Sequence, residues 1–194
     1  STNKGRSYGL EVFFQQKLFH DFYGLFSYTF VRSEFQNFEG NYVPSSWDYR
    51  HMLSITGGKL FKHNWEVGTK FRYNSGSPFT PYDIQASALK TNYDVTNAGI
   101  PDNTQLNTSR IEPFYQVDIR VDKKYNFKKW TLDLYLDIQN ITNNTTKEQP
   151  YFSVERDANG IPISNPNNPD YYIPKSIDNI SGTIIPGIGI VVEF

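Results

Sequence analysis

The sequence predicts an all-β fold, an antiparallel up-and-down β-barrel of the membrane-spanning kind. Three observations carry the prediction. Apolar residues recur with a period of two rather than 3.6 through most of the chain, the pattern of strands with one apolar and one polar side. The alternating segments run about ten to fourteen residues, longer than the roughly five or six usual in soluble sheets and long enough for the roughly 9–11 that cross a bilayer. Short and long connections also alternate along the chain, as a meander with all its long loops at one end requires.

The elements follow in order. "YGLEVFFQQKL" sets Tyr8, Leu10, Val12 and Phe14 against Gly9, Glu11, Phe13, Gln15 and Lys17. Segments at about 22–34 ("FYGLFSYTFVRSE") and 49–61 ("YRHMLSITGGKLF") are strand-like but less regular. The first is aromatic on both faces, and the second puts Lys59 in phase with Leu53 and Ile55. A bulge or a membrane-boundary position is expected in each. "WEVGTKFRYN" opposes Trp65, Val67, Thr69, Phe71 and Tyr73 to Glu66, Gly68, Lys70, Arg72 and Asn74. "YQVDIRVD" places Tyr115, Val117, Ile119 and Val121 on the apolar side. "WTLDLYLDIQ" does the same with Trp130, Leu132, Leu134, Leu136 and Ile138, leaving Asp133 and Asp137 opposite. The closing "PGIGIVVEF" aligns Ile188, Ile190, Val192 and Phe194. Seven strands result. Short turns are expected near His20-Asp21, Lys62–Asn64 and Lys123–Phe127, and long links over about 35–47, 75–112 and 143–183. Within the last link, Asn159-Gly160 predicts a small hairpin.

Composition narrows the function. A net charge of −1 lacks the basic stripe of a nucleic-acid binder. The absence of cysteine rules out disulfides and thiolate metal sites. A mean hydropathy of −0.57 suits a soluble protein, but barrel strands dilute that average because alternate residues face water. Aromatics at strand margins (Trp65, Tyr73, Tyr115, Trp130, Phe194) stand where interface girdles are expected. The lipid-facing set is then Leu134, Leu136, Ile119, Val121, Ile190 and Val192, and the lumen set Asp133, Asp137, Asp118, Arg120 and Glu66. The alternative is a soluble β-sandwich that binds glycans through its loops, since sandwich strands also alternate.

Several motifs together resemble the carboxy-terminal portion of TonB-dependent outer-membrane receptors of the Bacteroidetes type. "SSWDYRHMLSITGG" resembles their Asp-x-Arg-His strand opening. "WEVGTKFRYNSGSPFTPYD" resembles their Trp-x-x-Gly…Ser-Gly-x-Pro-x-Thr-Pro segment. "FYQVDIRVDKKYNFKKWTLDLYLDIQNITNN" resembles the strand, turn and strand that follow. The terminal "PGIGIVVEF" resembles the signal, ending in Phe194, that the barrel-assembly machinery reads. The resemblance implies a 22-stranded barrel and a multi-pass place in the outer membrane. It also implies energy-coupled nutrient import, with outer-membrane lipid, a plug and TonB as partners and, in the glycan importers, a surface lipoprotein lid. Seven strands cannot close such a barrel. Residues 1–194 are therefore expected to form the carboxy-terminal part of one barrel domain, with the plug and further strands outside them.

No catalytic, cofactor or metal residues are expected. Asp133 and Asp137 share a strand face but read as lumen charge. His51 beside Arg50 has no recognisable Ser or Cys partner. "DANG" at 157–160 lacks calcium-loop spacing, and the Asn140 and Asn144 sequons carry no weight if, as the resemblance implies, the source is bacterial. The ligand-contact candidates are the loop residues Trp47, Tyr82, Asp83, Tyr93, Tyr151, Phe152, Tyr171 and Tyr172, because aromatic rings offer contact area at low entropic cost.

Overall fold

The computed structural model describes residues 4–194, and seven long antiparallel strands dominate it. They are β1 (Gly5–Phe19), β2 (Phe22–Gln36), β3 (His51–Phe61), β4 (Trp65–Asn74), β5 (Phe114–Asn126), β6 (Thr131–Gln139) and β7 (Ile185–Glu193). Each pairs with its sequence neighbours in one sheet, so the predicted meander order holds throughout. Among the described residues, β1 and β7 are not paired with each other and the sheet does not close. Nor is any helix there long and apolar enough to cross a membrane.

Turn chemistry explains the short connections. His20 and Asp21 both have positive φ (47° and 66°), as do His63 and Asn64 (64° and 58°). Paired positive φ values give a turn whose twist matches that of its flanking strands. The third turn differs from the sequence expectation. Lys123–Asn126 continue β5, with Lys123 opposite Leu134 and Tyr125 opposite Leu132. The chain reverses at 127–130 instead, where the Phe127 and Trp130 rings stack at 4.1 Å. No bulge interrupts the pairing of β2 with β3, whose register is unbroken from Phe22/Lys59 to Phe30/His51. The register shift lies in β1, between Gln16 and Phe19.

Residues directly opposite in an antiparallel pair share a face, so the register tests the two-faced reading. One row reads Val12, Tyr28, Leu53, Tyr73, Tyr115 across β1 to β5. Another reads Val67, Val121, Leu136, Ile188 across β4 to β7. The apolar side is continuous over all seven strands. The same pairings put Glu66 opposite Asp122, Lys70 opposite Asp118 and Arg120 opposite Asp137 on the other side. On that side Tyr23 lies over Gly58 and Tyr135 over Gly189. A Cβ at Gly189 would stand 2.1 Å from the Tyr135 ring.

The long links cover 37–50, 75–113 and 140–184, and they are folded rather than loose. Tyr42–Pro44 turns back to pair with β2. Two short helices, α1 (Ile84–Ala88) and α2 (Lys90–Thr96), occupy the second link. The third is a nested ladder: Thr146–Lys147 pairs with Ile180–Ser181, Tyr151–Val154 with Pro174–Ile177, and Ser164–Asn165 with Asn168–Tyr172. The hairpin expected at Asn159-Gly160 is present as a tight turn closed by the Arg156–Pro162 bridge, with Gly160 at φ 81°. Its Tyr151–Val154 arm pairs further along the chain, with Pro174–Ile177.

Candidate functional site

Accessibility on the sheet is inverted relative to a soluble protein. Ile188 and Ile190 on the apolar side are 86% and 67% exposed, whereas Asp122 on the charged side is 6% exposed. The charged side is knit by ion pairs and hydrogen bonds. The Arg120 guanidinium donates to both Asp122 oxygens, at 2.6 Å from Nη2 to Oδ1, and stacks 3.8 Å from the centre of the Tyr135 ring. Glu66 accepts from the Tyr23 hydroxyl at 2.7 Å and from Lys124 Nζ at 3.1 Å. Asp118 accepts from Gln116, Arg72 and the Asn140 amide. A cavity of about 250 Å³ lies along this side, between Tyr23, Lys70, Arg120, Asp137 and Gln139. Asp133 and Asp137 both belong to the charged side, four residues apart and about 13 Å along the strand, too far to share a proton, and of the two Asp137 lines the cavity.

The loop end has its own core. Phe152 and Val154 point inward from their hairpin onto Ala88 and Tyr93, with Tyr82, Tyr171 and Tyr172 packed around them. The Tyr93 ring meets Phe152 and Tyr172 edge-on, with centres 6.1 Å and 5.8 Å apart. Tyr172 donates to Asp94 Oδ1 at 2.9 Å, which holds the phenol pKa above its ordinary value. Lys147 is likewise raised by its hydrogen bond to Glu112 (2.7 Å).

This core accounts differently for the eight candidate ligand residues. Tyr93 and Phe152 are buried in it, and Tyr171 and Tyr172 brace it. Asp83 caps α1 by accepting from the Ala86 amide at 2.9 Å. Tyr82, Tyr151 and one edge of Phe152 line an open apolar cleft of about 340 Å³ with Phe79, Pro81 and Ile84. Trp47 is 80% exposed and stands outside that cleft. Of the residues weighed for other chemistry, His51 Nδ1 lies 2.9 Å from the Tyr28 hydroxyl. The Asp157 carboxylate accepts from the Asn159 and Ile161 amides of its own turn. Among the described residues, no three His, Asp or Glu side chains converge as metal ligands would.

Two polar residues to which the sequence reading gave no structural role hold the loop end to the sheet. Asp48, with no exposed surface, pairs with Arg110 and lies 3.8 Å from Arg32 Nε and 3.6 Å from Arg50 Nε. It also accepts from the Ser33 amide at 2.8 Å. Asn140 anchors both ends of the third link by donating to the Asn144 and Thr183 carbonyls. Positive φ at Asn140 (53°) and Asn143 (51°) is the kind of local signal Asn offers in a sequence. Comparison with protein-family models and with curated proteins gives no match to this chain.

Proposed function

We propose that the chain forms part of the wall and the outer loops of a TonB-dependent outer-membrane importer, serving energy-coupled nutrient uptake. One observation carries the reading: the apolar side of a seven-strand sheet is bare, while the carboxylates of the other side are tied into ion pairs, with Asp122 buried. A lipid-facing wall around a watery lumen needs that arrangement, because charge is costly in hydrocarbon. The dimensions agree. Tyr115 and Tyr125 share the apolar side of β5 ten residues apart, about 33 Å along the strand, or about 25 Å at a barrel tilt of about 40°. In this reading the long links lie outside the cell, the aromatic cleft is where substrate first touches, and Phe194 serves assembly. The remaining strands come from outside residues 1–194, as do the plug and its TonB contact.

The rival glycan-binding sandwich needs a second sheet over the apolar side. The further pairings among the described residues are short pieces within the links, and they leave Leu10, Phe14 and Ile190 more than 60% exposed.

Leu136 and Asp137 are adjacent on β6 and face opposite ways, and Leu136 lies opposite Val121, near the middle of the span between Tyr115 and Tyr125. An Arg at the bilayer midplane costs roughly 2–4 kcal/mol. Leu136→Arg should therefore deplete the membrane-inserted protein severely, whereas Asp137→Asn should leave its amount near wild type. Equal depletion by the two changes, measured in outer-membrane fractions, would overturn the reading.

A further inference from the structure

We infer that the short-turn end of the sheet is a binding rim for the phosphate groups of anionic phospholipids. The inference rests on the membrane reading above and adds a partner to it. Charged residues on the apolar side occur at its two ends. At the long-link end they are Arg6, Arg32 and Glu34, and they neutralise one another: Glu34 accepts from Arg6 at 2.7 Å and from Arg32 at 3.2 Å. At the short-turn end they are Lys59 and Lys123, with no carboxylate on that side beside them. The turns there add Lys62, Lys128 and Lys129 against a single carboxylate, Asp21. None of these five lysines takes part in an ion pair among the described residues. The nearby Glu66 and Asp122 face the other side, where Lys124 and Arg120 neutralise them.

Aromatic rings fix the depth of this charge. Lys59 Nζ lies 4.4 Å from the centre of the Phe22 ring and 5.2 Å from that of Phe61. Lys123 Nζ lies 5.1 Å from Trp65 and 5.3 Å from Tyr125, and it donates to the His63 carbonyl. Trp and Tyr rings settle at the boundary between acyl chains and headgroups, and aromatic girdles mark the same level in membrane barrels. An ammonium held on such a ring therefore stands at phosphate depth, with N–H groups left to donate to phosphate oxygens. Lys62, Lys128 and Lys129 lie just beyond, in the exposed turns, where a basic side chain near a negative surface is worth about a factor of five in binding. The rim thus pairs an excess of cations with an interfacial anchor, which suits a lipid headgroup rather than a free anion.

The test uses the full-length protein, purified and delipidated in neutral detergent, then offered equimolar phosphatidylglycerol and phosphatidylcholine and analysed by native mass spectrometry. The protein should retain phosphatidylglycerol at least about fivefold over phosphatidylcholine. The variant with Lys59, Lys62, Lys123, Lys128 and Lys129 changed to Gln should lose the preference, and the five-Arg variant should keep it. Wild-type protein without a preference would overturn the inference, as would a five-Gln variant that keeps one. Displacement of the lipid by equimolar glycerol phosphate would assign the rim to free phosphate and overturn it too. Insertion into zwitterionic bilayers without lipid preference would count against the rim alone. Failure to insert into any bilayer would count against the membrane reading.

Discussion

Asp48 shows how one side chain organises a loop end. A carboxylate without solvent is costly unless nearby cations and N–H donors answer it, and here Arg110, Arg32, Arg50 and the Ser33 amide do so. Its partners come from β2, the end of the first link just before β3 and the far root of the second link, so it ties together three separate stretches of chain. Removing one member of a buried pair costs about 3 kcal/mol. Asp48→Ala should therefore speed hydrogen exchange at the Ser33 amide by about a hundredfold, with Asp48→Asn falling between. Unchanged exchange in the alanine variant would show that the arginines are held by something else. In the sequence, Asp48 is one more residue of a polar motif. Nothing local announces its burial, because its partners lie up to 62 residues away.

At the scale of elements, the strands were legible and the links were not, for a physical reason. A strand that divides two environments must alternate, and alternation can be read from neighbours alone. That is why β4, β6 and the phases of their side chains match expectation, whereas the Lys-Lys pair at 123–124 looked like a turn and is strand. Tyr93 and Phe152 carry no such pattern. They read as contact residues because loop aromatics usually are exposed, and they became core because the nested hairpins of the third link fold back onto α1 and α2.

The same links have a pH signature. Tyr172 has a raised pKa because its hydroxyl donates to Asp94. A group whose pKa is raised on folding contributes stability that is complete below its unfolded value and lost as pH rises through the folded one. The loop core should therefore loosen in the alkaline range, seen as faster proteolysis of the third link and a changed near-ultraviolet signal. Tyr172→Phe should show a smaller alkaline step, the remainder coming from Lys147, whose pKa is also raised, and an identical step in both proteins would remove Tyr172 from the explanation.

For the whole molecule, what matters is which side is bare. Large apolar surface left open on a protein marks a partner or a membrane, and here it runs unbroken from Val12 on β1 to Ile188 on β7. Among the described residues both sheet edges are also unpaired, and an unpaired edge is a template for another strand. The sequence conveyed the two-sidedness but not the register. Continuity across seven strands depends on each pairing falling in phase, and a slip of one residue would have broken it.

Seven is an odd number, and that parity has a use. β1 starts at the long-link end, where Gly5 lies opposite Phe35, and β7 finishes beside Thr131 at the short-turn end. If the sheet spans a bilayer, the two ends of this segment stand in different compartments. Small epitope tags placed ahead of Lys4 and between Lys128 and Lys129, in the exposed turn beside the end of β7, should then be reached by antibody in opposite circumstances, the first on intact cells and the second after permeabilisation. Both tags answering together would mean that the number of crossings is even, whatever the strands look like on paper.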